Sequence, residues 1–337
     1  MKQKMVKQPI ITDAEIAKTE RYNRDIQAWG YRPWVTVRQS HTHGQGQIVY
    51  SHKTKREHHL LSRGERRPFF YFEHDPTVID ILEQYPLPLH KTLEIAASLN
   101  IVHPGNYKER GNHGGRIPAK TMTQDFLVLR QSDSGNARLT AYSYKYSDAL
   151  DPAITNPRVV NRTRAKEKIA LEYWRAENID FVMVTEKDFD ATFIYNVEFL
   201  RECFDSKNLL QVSADLYDHV VLKFKNHMIM APLSTLRMLA LLVAQEMNID
   251  ERHAVCLFQH AVYTGRIDMD LTQRIELYHL YGDGIHLTVA HKREWSYGFK
   301  PDNKTVPLPC YLESPYDHQR ESSTSQTQPA RARQRAQ

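Results

Sequence analysis

Apolar and polar positions along the chain mark its elements one by one. Thr12 is a helix-cap candidate ahead of DAEIAKTERYNRDIQAW, which has a loose helical period. PWVTV and QIVY, on either side of QSHTHGQGQ, read as two strands joined by a Gly-containing loop. Ser62 and Glu65 have the capping-box spacing, so a helix is expected from Arg63, and Pro68 in its early turns argues for a short or kinked one. TVIDILEQYPL reads as a strand ended near Pro86 and Pro88, and Lys91 to Lys120 as a loop rich in Gly, Asn and basic residues.

TMTQDFLVLR and ARLTAYSYKY are the most legible pair: two β-rich runs around QSDSGN, a turn signal. RTRAKEKIALEYWRAENI then has helical spacing, and DFVMVTE reads as a buried strand. Hairpin, helix and strand together predict an α/β core with helices against a central mixed sheet. From about Asp190 the pattern becomes helical, in FIYNVEFLRECF, STLRMLALLVAQEM and ERHAVCLFQHAVYTG, and RIDMDL and IHLTVA follow as short strands. The expected organisation is an α/β domain over 1–189, a helical winged-helix-like C-terminal domain over 190–293, and a largely disordered basic tail over 294–337.

Composition narrows the class. With 337 residues, 41% hydrophobic and 25% charged, the chain has the balance of a soluble globular protein with room for two cores. No apolar run is long enough to span a bilayer, and MKQKMVKQPIITDAEIAK has no signal-peptide core, so a cytoplasmic protein with no membrane association is expected. Three cysteines, Cys203, Cys256 and Cys310, are too few and too scattered for a disulfide framework or a zinc knuckle. Cys203 and Cys256 read as small buried hydrophobes. A net charge of +5 is compatible with a polyanionic partner and proves none.

Candidate chemistry lies in the hairpin. If its turn centres on Ser134, Asp125 faces Ser143 across the ladder, with side chains about 5 Å apart, and Lys145 projects from the same face. A one-residue slip would turn Lys145 away. Phosphodiester hydrolysis uses carboxylates to hold a divalent metal and a nearby lysine to orient or deprotonate the water and offset the phosphate charge. Glu65 could supply a second carboxylate. The pattern is degenerate by itself: Asp125 is also an ordinary strand-end residue, Lys145 an edge charge and Glu65 a cap partner.

At these residues the chain resembles the TnsA-type transposon endonucleases. The resemblance runs from about Trp29 to Asp188. It is carried by YRPWVTVRQS, YSHKT with HHLLS, then TQDFLV, AYSYK and EKIALEYWRAENIDFVMVTEKD in that order. It implies a restriction-endonuclease-like core that binds Mg²⁺, with Mn²⁺ as a substitute. Residue by residue, Glu65, Asp125 and Lys145 take the catalytic places, and Glu65, Asp125 and Ser143 the metal-binding ones. Ser143 stands where the family often has Gln, and RGERRP is less apolar than the family's helix. The implied role is hydrolysis of the 5′ (non-transferred) strands at transposon ends, on double-stranded DNA. The implied partners are an integrase-type (DDE) transposase and a AAA+ ATPase regulator that contacts the C-terminal region. A catalytically silent DNA-binding or adaptor subunit and a self-sufficient restriction-type nuclease remain open alternatives.

Other features carry less. His41, His43, His52, His58 and His59 fit no zinc spacing, and His58 or His59 is a candidate for orienting the site. Lys53, Lys55 and Arg56, then Lys108, Arg110 and Arg116, then Arg158, Arg162, Arg164 and Lys166, are candidates to neutralise phosphates. ERHAVCLFQHAVYTG has one fixed positive charge, Arg252, and its Leu257, Phe258, Val262 and Tyr263 suit a core or a protein interface better than a DNA groove.

Overall fold

A computed structural model of the chain describes residues 5–40, 45–131 and 137–278. Its centre is a four-stranded sheet in the order β3 (Val78–Pro86), β4 (Thr123–Gln131), β5 (Ala137–Tyr144), β6 (Asp180–Val184). The first three strands are antiparallel, and β6 joins β5 in parallel through the helix α4 (Pro157–Ala176), so the sheet is mixed as expected. Phe126 pairs with Tyr142 and Gln131 with Ala137, a register symmetric about position 134 that sets Asp125 opposite Ser143.

The run Phe126-Leu127-Val128-Leu129 has no polar alternation because helices cover both faces. Leu127, Leu129, Leu139 and Ala141 meet Ile169, Ala170, Tyr173 and Trp174 of α4 and Ala96 of α3 (Leu89–Ser98). Phe126 and Val128, on the opposite face, meet Phe69, Phe70 and Phe72 of α2 (Arg66–His74) and Ile194 and Val197 of α5 (Ala191–Arg201). Trp174 is fully buried, and its indole N–H donates to Gln124 Oε1 at 2.7 Å. Trp174→Ala is expected to cost about 3–5 kcal/mol, read as a lower urea midpoint at unchanged m value.

Two further parts flank the sheet. α1 (Asp13–Trp29) starts at the expected cap Thr12. The hairpin β1 (Gln47–Ser51) and β2 (Arg56–Leu60) forms its own small sheet. Helices α6 (Ala214–Met230), α7 (Leu236–Met247) and α8 (Glu251–Tyr263) form a separate apolar cluster with Leu200 of α5. The expected boundary at 189/190 therefore falls at the start of a helix whose two ends serve different clusters. Cys203 and Cys256 are buried, as read.

The structure departs from the sequence reading in several places. PWVTV is not a strand: Pro33 has no N–H to give a ladder, and Trp34 packs edge-on to Tyr22 while its N–H donates to the Gln84 carbonyl. QIVY pairs instead with REHHL. The helix expected from Arg63 begins at Arg66, which leaves Pro68 in the first turn, where its missing N–H costs nothing. The supposed loop over 91–120 opens with α3, which buries Thr92 and Ala96 one turn apart. α6 carries no Gly or Pro and was passed over. The winged-helix reading loses its first strand: 266–271 is turn and irregular chain, and 285–290 lies outside the described residues, as do the tail 294–337 and Cys310. α8 buries Leu257 and Phe258 completely and Val262 almost so, which makes it the middle of a core and not a groove-reading helix. Among the described residues no helix is long and apolar enough to cross a membrane.

Candidate active site

β4 begins and β5 ends at the same edge of the sheet, so their side chains on the α4 face meet there. Asp125 Oδ2 accepts from Lys145 Nζ at 2.9 Å, from the Tyr144 N–H at 2.8 Å and from Ser143 Oγ at 3.3 Å. Lys145 Nζ also donates to Ser143 Oγ at 3.0 Å and pairs with Glu167 Oε1 at 3.3 Å. Glu167 comes from α4 and has no counterpart in the sequence reading. Its only advance signal was its place near the middle of a helix that must cross back over the sheet from the site's edge. Opposite Asp125 in the β3–β4 ladder stands Gln84, a non-glycine residue at φ 51°, held by the Trp34 N–H on its carbonyl and by Thr123 Oγ on its Oε1. Such backbone strain collects at functional positions.

Glu65 arrives from the other face of the sheet, in the turn that leads into α2. Its Oε2 accepts the Leu61 N–H at 2.9 Å and its Oε1 the Ser62 hydroxyl at 3.0 Å, while its own N–H donates back to Ser62 Oγ at 3.3 Å. The Ser62–Glu65 pairing read as a capping box thus closes this turn, one step ahead of the helix. Gly64 makes the turn possible, because a Cβ there would lie 2.4 Å from the Tyr144 ring. Gly64→Ala is expected to destabilise by about 1–3 kcal/mol through overpacking and to displace Glu65, read as a lower melting temperature.

Charge is concentrated here. Burial, then the Asp125 carboxylate, push the Glu65 carboxyl well above the usual carboxylate range, to about 8. Burial alone would lower the pKa of Lys145, but Asp125 and Glu167 outweigh it and hold the ammonium form more firmly than usual. A buried carboxyl, Glu65, beside the part-exposed carboxylate of Asp125 suits a divalent cation. Among the described residues no three His, Cys, Asp or Glu side chains form a ready-made metal cage. A magnesium-type ion does not need one: it keeps several waters and takes one or two carboxylates plus substrate oxygens. Glu65 and Asp125 match that donor set.

The other candidates lie elsewhere. His58 is fully buried between Thr54 Oγ (2.6 Å) and Glu83 Oε2 (2.8 Å), and His59 Nδ1 accepts the Val37 N–H, so neither orients the site; His41 and His43 are outside the described residues. Arg56 pairs with the buried Glu83, and burial of that carboxyl is outweighed by His58 and Arg56, which hold it below the usual range. Lys53 donates to the Asp75 carbonyl, Arg162 to that of Val102 at 2.6 Å and Arg164 to that of Leu150 at 3.0 Å. These four cations are spent on the fold. Lys108, Arg110 and Arg116 are exposed on the segment around the 3-10 turn Tyr107–His113.

Residues 75–186 match the family described as TnsA-like endonuclease, N-terminal. Over this segment the chain resembles that family. Asp125, Ser143, Lys145 and Glu167 all lie inside the matched segment, and Glu65 lies ahead of it. Transposon Tn7 transposition protein TnsA of Escherichia coli is 33% identical over 186 residues, which is 55% of this chain. The chain spans 60% of the length of that curated relative.

Proposed function

We propose that the chain is a Mg²⁺-dependent DNA endonuclease subunit of a heteromeric transposase, cutting the 5′ strands at transposon ends. The observation that carries this reading is the Asp125–Ser143–Lys145–Glu167 contact at one sheet edge, with Glu65 brought to it, inside a TnsA-like α/β unit. The two-sided layering around a mixed sheet supports a restriction-endonuclease-like core. Glu65, Asp125 and Ser143 would hold the metal, with Mn²⁺ able to replace Mg²⁺. When bound, the ion supplies Lewis-acid stabilisation of the phosphate and a more acidic water.

The protein's own groups do the rest. Asp125 and Glu167 favour the ammonium form of Lys145, which offers protons and charge to a phosphate oxygen. Glu167 and Asp125 fix the direction of its stem. The turn at Ser62–Glu65 sets the second carboxylate at a fixed distance from the first. The relative is named a transposition protein, which fits work alongside other transposition proteins on DNA. The partners in this reading are an integrase-type (DDE) transposase and a AAA+ ATPase regulator, and the exposed apolar side chains Ile229, Met230, Leu233 and Met238 at the α6–α7 corner suit a protein contact in the C-terminal part.

Strand mapping tests the proposal. Transposon-end DNA labelled on each strand is incubated with the chain and its transposase in Mg²⁺. The expected product is cut at both strands by the wild type and only at the 3′ transposon ends when Asp125→Ala is used, giving fused donor–target products. Simple insertions at normal yield with Asp125→Ala would refute it. An adaptor subunit predicts no difference between the two proteins.

A further inference from the structure

Many cations among the described residues are paired or turned onto backbone carbonyls, but three lysines beside the candidate site are not. Lys166 neighbours Glu167 on α4. Lys120 sits three residues ahead of β4, the strand that carries Asp125. Lys18 lies one turn after Glu15 on α1, and Glu15 Oε1 ties α1 to this place by accepting the Thr121 N–H at 3.3 Å. All three are exposed, and among the described residues none of them forms an ion pair with a carboxylate.

Their ammonium groups form a row. Lys166 lies near Lys145, Lys120 and Arg162, and Lys18 lies near Lys120. The row therefore starts at Lys145 in the candidate site and runs outward through Lys166 and Lys120 to Lys18, whose Nζ stands 4.0 Å from the Trp34 ring centroid. Glu167 and Glu15 are the carboxylates beside it; the first is engaged with Lys145 and the second with Thr121. A line of like charges costs stability unless a polyanion neutralises it. Lysine on a flexible stem is a point charge that suits a phosphate and reads no base.

We propose that Lys166, Lys120 and Lys18 hold the sugar–phosphate backbone of duplex DNA on the α4 side of the candidate site, leading one strand to Lys145. This rests on the reading of the site as a DNA endonuclease centre. The contact is independent of sequence and of the metal. Arg162, which was a candidate of the same kind, contributes field here and not a phosphate contact, since its guanidinium is held by the Val102 carbonyl.

The test uses the full chain, a fluorescein-labelled DNA duplex and Ca²⁺ in place of Mg²⁺, with affinity measured by anisotropy over a KCl series. Each of Lys166→Gln, Lys120→Gln and Lys18→Gln should flatten the slope of log affinity against log salt by about 0.9, and the triple variant by the sum. Lys225→Gln, an exposed control on α6, should leave the slope unchanged. In Mg²⁺ the triple variant should show a raised KM for nicking and a kcat near wild type at saturating DNA. A triple variant with the wild-type slope, or an equal loss in Lys225→Gln, overturns the track. If the wild type still cuts in an Asp125-dependent manner in that case, only the track falls. A wild type that neither binds nor cuts duplex DNA overturns the track and the endonuclease reading together.

Discussion

Asp125→Ala is expected to lower Mg²⁺-dependent nicking of supercoiled plasmid by at least about 10³-fold, the scale of losing a group that acts within one pre-arranged set. Its Oδ2 collects the Lys145 ammonium, the Tyr144 N–H and the Ser143 hydroxyl, so its removal takes away a carboxylate and leaves Lys145 held by Glu167, Ser143 Oγ and the Tyr144 carbonyl. The fold should survive. Asp125 and Lys145 are part-exposed, and partly exposed ion pairs contribute at most about 1 kcal/mol. Circular dichroism and melting of the variant should therefore match the wild type while cutting disappears. Nicking at the wild-type rate would place the chemistry away from this edge of the sheet.

Glu65→Gln is expected to raise stability and, like Asp125→Ala, to lower activity. A carboxyl with a pKa raised from 4.5 to about 8 holds its proton in the folded chain after the unfolded chain has lost it. Its contribution is fully present below about 4.5 and is lost as pH rises through about 8, because in that window folding must take up a proton. Glutamine keeps a neutral acceptor for the Leu61 N–H and removes this dependence. At pH 8 the variant should gain on the order of 1–3 kcal/mol, since each pKa unit is worth about 1.4 kcal/mol and part of the shift is shared with Asp125. Melting should rise by about 2–4 °C per kcal/mol, with a flatter pH profile between 5 and 8. Added Mg²⁺ should stabilise the wild type and leave Glu65→Gln nearly unmoved. A variant less stable than wild type at pH 8 would contradict the opposed-carboxylate account.

Local pattern carried the strands that are buried on both faces, because a run such as Phe126–Leu129 with a turn signal after it has few alternatives. The symmetric register followed from the turn, and it was enough to bring Asp125, Ser143 and Lys145 to one face. Long-range facts were not legible. Glu167 enters the site only because α4 returns over the sheet to place β6 parallel to β5, which no spacing within the helix reveals. Lys18 and Lys120 look like ordinary surface lysines until Glu15 bonds to Thr121 and brings α1 beside β4. Basic residues counted as DNA contacts from sequence proved in four cases to be structural, since a buried acid or an open carbonyl was waiting in a distant element. Apolar periodicity found α5, α7 and α8 at the helical end of the chain and missed only α6, and that three other helices surround α8 depends on packing.

Direct calorimetric titration with Mg²⁺ or Mn²⁺ at pH 7, repeated in buffers of different ionisation enthalpy, bears most closely on whether these acids form a metal centre. The wild type should bind with release of close to one proton, taken from Glu65, and the Glu65→Gln, Asp125→Ala double variant should show neither binding heat nor proton release. Equal binding by that double variant, or DNA cleavage by the wild type that continues in excess EDTA, would contradict the account.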